Sequence, residues 1–172
     1  GGDVTSAAHR SDVLSDFWSG IWSSVASHVL RALLLAAALC SPTAAQPISL
    51  VDDAGQKLHL PGPARRIVAL SPHVTELLFA VGAGDRVVGV DAWSNYPAAA
   101  RQLPRVGDLY ALDLERIVAL KPDLLIVWHN GNSQRQLDVL RGLGLPIYFD
   151  GPRRLADIPH SLEQMGRLAG SA

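Results

Sequence analysis

Four short apolar runs in this sequence each end at a cluster of polar or aromatic residues. The runs, each with the first residue of its cluster, are 67–70 before Ser71, 87–90 before Asp91, 124–127 before Trp128 and 147–149 before Asp150. Runs that are apolar throughout are typical of parallel strands covered by helices on both faces. Because the carboxyl ends of parallel strands meet at one edge, where open α/β sheets bind ligands, the sequence predicts a ligand site at that edge.

Between these runs the apolar residues recur with helical spacing. Ser71 and Asp113 are expected to cap the first two helices, while Leu143 is expected to face inward on the third and Leu155 on the fourth. An Asp/Gly turn at 52–55 between alternating apolar residues predicts a β-hairpin. The predicted fold class is α/β, with a parallel sheet sandwiched by helices in a single Rossmann-like lobe and a short N-terminal β-hairpin.

Composition excludes several classes of protein. The chain has 172 residues, of which 48% are hydrophobic and 18% charged, so it is globular and not disordered. Its formal net charge is −1, and the sequence contains no basic stripe that could neutralise the phosphates of a nucleic acid. One main domain and a monomer are expected.

The N-terminal part of the chain resembles a secretory leader. An apolar stretch with the single cysteine, Cys40, is followed by small residues, with Thr43 and Ala45 placed like the −3 and −1 positions of a signal-peptidase site. We therefore expect residues 1–28 to be an extraneous extension, 29–45 a cleavable signal peptide and 46–172 the mature domain. The expected location is the periplasm.

Motifs for catalysis are weak. The chain contains no P-loop and no nucleophile elbow, and Ser71, His73 and Glu76 do not make a convincing nucleophile–base set because Ser71 is expected to be a helix cap. His73 could instead bind a metal ion with His129, Asp91 or Asp150, but none has the close spacing of a known metal site. We expect neither an enzyme nor a metal centre.

Aromatic residues are more informative. Trp93, Tyr96, Tyr110 and Trp128 lie in loops or at strand ends, outside the helical stripes. They either cover the ends of the sheet or form a wall for a large planar ligand, and four on one edge favour the wall. Asn130 and its neighbours add polar groups beside Trp128.

The segments RIVALSPHVTELLFAVGAGDRVVGVDAWSNYP (66–97) and LDLERIVALKPDLLIVWHNGN (112–132) resemble the amino-terminal lobe of periplasmic solute-binding proteins for cobalamin. Those proteins belong to a group that also binds iron-siderophores and haem. The resemblance extends from about residue 48 to the end of the chain. It implies capture of a corrinoid and delivery to an inner-membrane ABC permease and its ATPase, with no cofactor other than this ligand.

The resemblance also implies roles for individual residues. His73, Trp93 and Trp128 would contact the ligand, together with Leu109 or Tyr110, and Glu115 would dock onto permease arginines. The family has a second lobe, which we expect to be absent here, so that the chain is a fragment. The alternatives are a haem or ferric-siderophore binding protein of the same fold, a zinc or manganese binding protein, and a secreted enzyme.

Overall fold

The structure, a computed structural model, describes residues 46–171. The predicted extension (1–28) and signal peptide (29–45) lie outside the described residues. Within 46–171, none of the helices combines the length and apolar character that crossing a membrane requires.

In residues 46–171, six strands form two sheets. Strands β1 (Ile48–Val51) and β2 (Lys57–Leu60) pair as an antiparallel hairpin. The other four strands form a parallel sheet in the order β4-β3-β5-β6, and they are β3 (Ile67–Ala69), β4 (Val87–Val90), β5 (Leu124–Trp128) and β6 (Ile147–Asp150). The predicted strands, their parallel pairing and the hairpin are all confirmed.

Four α-helices cover the parallel sheet, and they are α1 (Pro72–Ala80), α2 (Leu114–Ala119), α3 (Gln134–Gly142) and α4 (Ile158–Ala169). Short 3-10 turns occupy Gly84–Arg86, Ala98–Gln102 and Leu155–Asp157. One apolar core joins α1, α4 and the hairpin to the sheet, and a second core joins α2 and α3 to it. Because the two cores share the four strands, both faces of the sheet are buried, as the apolar runs predict.

The two predicted helix caps behave differently. The Asp113 side chain accepts a hydrogen bond from the Arg116 backbone N–H, so the cap of α2 is confirmed. Ser71 occupies the N-cap position of α1, but its side chain makes no capping bond. Its Oγ lies 3.1 Å from Nδ1 of His73 instead. The predicted N-cap position of Ser71 is therefore confirmed, but its hydroxyl pairs with His73 and not with the helix backbone, a partner that the sequence could not reveal.

Two leucines predicted to face inward are exposed. Leu143 is 60% exposed because α3 ends at Gly142, after which Gly144 adopts a φ of +79° and turns the chain. Leu155 is 90% exposed because it lies in a 3-10 turn before α4 and not on the helix. The buried stripes of α3 and α4 are therefore one residue shorter than their spacing predicted.

The turn of the hairpin is bonded to the end of β6. Asp52 is buried and accepts hydrogen bonds from the backbone N–H groups of Ala54, Gln56 and Phe149. Asp53 donates its own N–H to the Phe149 carbonyl and accepts from the N–H of Gly151 at 2.6 Å. These bonds fix the backbone on both sides of Asp150, at the carboxyl edge of the sheet.

Replacing Asp52 with alanine should lower the free energy of unfolding by about 2 kcal/mol, because the buried Phe149 N–H loses a charged acceptor. Denaturant unfolding of the whole chain measures the change. The matched control is Asp85→Ala, an exposed aspartate without a hydrogen bond in the described structure, which should change stability by less than about 0.5 kcal/mol. Equal stability of the two variants would contradict this role of the hairpin turn.

Candidate functional site

The exposed aromatic residues of the described structure all lie at the carboxyl edge of the parallel sheet. Their exposures are 68% for Trp93, 68% for Tyr96, 86% for Tyr110 and 37% for Trp128. Trp128 is the last residue of β5, and Trp93 and Tyr96 follow β4. Large apolar rings left exposed along one rim are typical of a surface that binds another molecule.

Tyr110 reaches this edge through a segment that extends the sheet. The Val90 N–H donates to the carbonyl of Pro104, and the Val106 N–H donates to the carbonyl of Val90. The Ala92 N–H then donates to the carbonyl of Gly107. Residues 104–107 therefore run beside the end of β4, and the loop that contains Tyr110 continues past the edge.

An open groove of about 450 Å³ lies at this edge. It is lined by residues from α1, β5 and the segment that enters α4, and they are His73, Glu76, Leu77, Trp128, Pro152 and Ile158. Aliphatic and aromatic groups make up most of the lining, and Glu76 adds a charge. A groove of this kind suits a large and mainly apolar ligand.

His73, one of the residues that line this groove, is held by polar contacts. Its Nε2 lies 3.2 Å from Oδ2 of Asp150, whose side chain is fully buried. Its Nδ1 lies 3.1 Å from the hydroxyl of Ser71. The ring meets Trp128 edge to face, with centroids 6.1 Å apart and planes at 82°. The structure thus brings together His73 and Trp128, two of the residues that the sequence singled out.

The loop that carries Trp93 is fixed through its backbone. The Trp93 N–H donates to Oδ1 of Asp91 at 2.7 Å, which closes an Asx turn directly after β4. The Arg105 guanidinium donates to the carbonyls of Asp91 and Ser94 at 2.9 and 2.8 Å. The backbone of the loop is ordered, while the indole of Trp93 remains exposed.

The same turn precedes the other exposed aromatic loop. Oδ1 of Asp108 accepts from the N–H groups of Tyr110 and Ala111 at 2.9 and 3.0 Å. Both Trp93 and Tyr110 therefore follow an aspartate two positions earlier in the sequence. This spacing is the signal that could have predicted ordered loops beneath exposed rings.

Leu109 lies close to Trp128 across Gly131. A Cβ atom at Gly131 would lie 2.7 Å from Cδ1 of Leu109 and 3.0 Å from Cε3 of Trp128, so any larger residue here would require the Leu109 side chain to shift. The sequence left Leu109 and Tyr110 as alternatives for one aromatic position. The structure brings Leu109 beside Trp128 and leaves Tyr110 exposed at the loop tip.

The remaining predicted site residues are exposed. Asn130 lies in the turn after β5, and Tyr96 precedes Pro97 across a cis peptide bond. Glu115 is exposed in the first turn of α2 and takes no part in the groove. Among residues 46–171, no aromatic ring pair connects Trp93, Tyr96 or Tyr110 with Trp128.

Electrostatics at the edge follow from burial. Burial raises the pKa of the Asp91 carboxyl, and the Trp93 N–H partly offsets this by lowering it. Burial and the nearby carboxylates of Asp53 and Asp150 also raise the pKa of the Tyr148 hydroxyl. In the part of the chain that the structure describes, no three His, Cys, Asp or Glu side chains are arranged to hold a metal ion.

A buried pair of hydroxyls connects the Trp93 loop to α1. Oγ of Ser94 lies 2.8 Å from Oγ1 of Thr75, which also lies 3.2 Å from the carbonyl of Ser71. Thr75 and Ser94 are both fully buried. Neither residue was identified from the sequence, because a Thr and a Ser so far apart give no pattern.

Replacing Thr75 with valine should lower the free energy of unfolding by about 1–3 kcal/mol, because the Ser94 hydroxyl stays buried without its partner. Adding Ser94→Ala should recover part of the loss, since removing both partners leaves no unpaired group. Thermal unfolding with a double-mutant cycle measures the coupling. Strictly additive effects of the two substitutions would contradict the proposed connection.

Comparison with curated proteins identifies similar sequences. The vitamin B12-binding protein of Yersinia pestis (strain Pestoides F) is 43% identical over 106 residues, which cover 62% of this chain and 38% of that protein. The vitamin B12-binding protein of Yersinia pseudotuberculosis (serotype O:1b, strain IP 31758) matches equally well. The chain thus spans less than half the length of these curated relatives.

Solved structures show the same fold. The periplasmic vitamin B12 binding protein BtuF of Vibrio cholerae has 41% identity and a TM-score of 0.59, over 62% of this chain and 42% of that one. A periplasmic heme binding protein from Pseudomonas aeruginosa has 28% identity and a TM-score of 0.58, over 63% of this chain and 40% of that one. Both relatives are named as binding proteins. The family model described as periplasmic binding protein matches residues 67–172, and the chain belongs to this family.

Proposed function

We propose that residues 46–172 form one lobe of a periplasmic binding protein that captures a corrinoid for an ABC importer. The carboxyl edge of the sheet supplies one wall of the binding site. The single observation that carries this proposal is the location of all four exposed aromatic residues of the described structure on that edge. The names of the relatives with 41–43% identity support cobalamin as the ligand.

The wall is suited to the chemistry of a corrinoid. A corrin ring is broad and mostly apolar on its faces, and its edges carry polar amides. The groove beside Trp128 offers an apolar surface, while Asn130 and Glu76 provide polar groups near it. Because the backbone beneath Trp93 is fixed by Asp91 and Arg105, little ordering entropy is lost when a ligand binds.

Haem is the second candidate, favoured by the heme-binding structures among the similar folds. A haem held by His73 would need a free imidazole nitrogen to coordinate iron. Both nitrogens of His73 lie within hydrogen-bond distance of protein groups. The geometry of this residue therefore favours the corrinoid.

One wall covers only one side of a ligand of this size, and tight binding requires burial of most of its surface. We infer that a second lobe supplies the opposite wall and that a permease and its ATPase receive the loaded protein. The signal-like residues 29–45 support export to the periplasm. In this role the protein has no catalytic residues, and cobalamin is its cargo.

A chimera tests the ligand directly. The 106 aligned residues of this chain would replace the matching segment of the Yersinia pestis protein, which supplies the rest of the binding site. We expect the chimera to bind cyanocobalamin in equilibrium dialysis. Trp93→Ala and Trp128→Ala should each raise its Kd about tenfold, equal to about 1.4 kcal/mol of lost ring contact.

Leu143→Ala is the matched control, since this exposed apolar residue lies between the end of α3 and the start of β6, away from the carboxyl edge, and should leave the Kd unchanged. A folded chimera that fails to bind cyanocobalamin would eliminate the corrinoid assignment. Equal affinities of the chimera and its two tryptophan variants would eliminate the aromatic wall.

Glu115 provides a separate test of docking. In cells that depend on the chimera for cobalamin uptake, Glu115→Arg should lower uptake at least severalfold, because it reverses the charge offered to permease arginines. The Kd for cyanocobalamin should not change, because Glu115 lies outside the groove. The control is Glu163→Arg, which makes the same charge change at an exposed position of α4. Equal uptake by both variants would contradict the docking role.

A further inference from the structure

The hydrogen bonds of His73 show more than its presence in the groove. A carboxylate can only accept a hydrogen bond, so with Asp150 as a carboxylate the 3.2 Å contact between Nε2 of His73 and Oδ2 requires Nε2 to carry the proton and act as the donor. The Ser71 hydroxyl can either donate or accept. It donates to Nδ1 when the ring is neutral, and it accepts from the Nδ1–H when the ring is charged. Both nitrogens therefore stay paired in either protonation state.

Both partners of His73 are fixed. The Asp150 side chain is fully buried, and its backbone neighbours Phe149 and Gly151 are bonded to the hairpin turn. Ser71 is buried at the start of α1, where its carbonyl accepts from the N–H of Thr75. The side chain of His73 is 34% exposed, and its ring lies between these two anchors and the groove.

Resting on the proposed function, we propose that Ser71 and Asp150 are positioning residues that hold His73 in one tautomer with neither nitrogen available for coordination. His73 then contributes the carbon edge of its ring to the wall and not an axial ligand to a bound metal. The site thereby selects a macrocycle whose metal already carries its own axial ligands, such as a cobalamin. It discriminates against an iron porphyrin that must obtain a histidine from the protein at this position.

The other groups around His73 fit this assignment. Trp128 meets the ring edge to face, which leaves no third polar partner on that side. Glu76 also lines the groove and belongs to the same helix, but the described hydrogen bonds of the ring go to Ser71 and Asp150. Oδ1 of Asp150 is buried without a partner in the structure, so this carboxylate depends on His73 for its side-chain hydrogen bond.

Imidazole NMR on the whole ¹⁵N-labelled chain tests the proposal without any ligand. In alkaline buffer, where the ring is neutral, His73 should show the Nε2–H tautomer. Its signals are assigned by their loss in His73→Asn. Asp150→Asn keeps an acceptor oxygen and should preserve the tautomer, whereas Asp150→Ala should produce a mixture. Glu163→Gln, at an exposed position of α4 outside the groove, is the control and should leave the tautomer unchanged.

A predominant Nδ1–H tautomer, or a tautomer unaffected by Asp150→Ala, would overturn the assignment. Should Asp150→Ala fail to fold, Ser71→Ala provides the second variant. It should keep the Nε2–H tautomer and shift only the Nδ1 resonance, and an unchanged Nδ1 resonance would contradict the contact with Ser71.

Optical titration with ferric haem supplies an independent readout. We expect the chain and its His73→Ala variant to give the same Soret band, because His73 offers no nitrogen to the iron. A Soret shift that is lost in His73→Ala but kept in His129→Ala would overturn the proposal. Failure of the chimera to bind cyanocobalamin would remove the proposed function and leave the tautomer measurement standing, so the two failures are distinguishable.

Discussion

Parallel pairing of the four central strands determines where every candidate ligand contact lies. Because β3 pairs in parallel with both β4 and β5, and β5 with β6, all four strands end at the same edge of the sheet. Hydrogen bonds continue past the strands, from the Asp91 N–H to the carbonyl of Ala69 and from the His129 N–H to the carbonyl of Asp150. Residues far apart in sequence are therefore neighbours, and no single motif has to form the site.

Fixed backbone and exposed side chains are combined throughout this edge. Buried carboxylates fix the backbone by accepting hydrogen bonds. Asp52 accepts from the N–H of Phe149 in β6, and Asp91 accepts from the N–H of Trp93. The rings above them remain in solvent, which costs stability unless another molecule covers them. This combination is suited to binding a large ligand with little rearrangement, and the membership of the chain in the periplasmic binding protein family agrees with it.

Much of this arrangement was predictable because it depends on local pattern. The apolar runs predict the strands and their parallel pairing. Trp128 directly follows one run and Trp93 comes three residues after another, and these positions predict that both lie on the edge. The pairing of His73 with Asp150 was not predictable, since it joins residues 77 positions apart. The partner of the Ser71 hydroxyl and the exposure of Leu143 were not predictable for a related reason. The spacing of apolar residues predicts where a helix lies. It does not show that His73 takes the Ser71 hydroxyl or that α3 ends at Gly142, because both depend on the folded surroundings.

We propose that the carboxyl edge binds a corrinoid through its aromatic residues. The most direct measurement is the movement of the indole N–H signals of Trp93 and Trp128 in ¹H–¹⁵N spectra of the whole chain as cyanocobalamin is added. Substitution of each tryptophan by phenylalanine assigns its signal. We predict that both signals shift together with the backbone N–H signals of residues at the ends of β4 and β5. Saturating shifts elsewhere on the domain, with these two indole signals unmoved, would contradict the account.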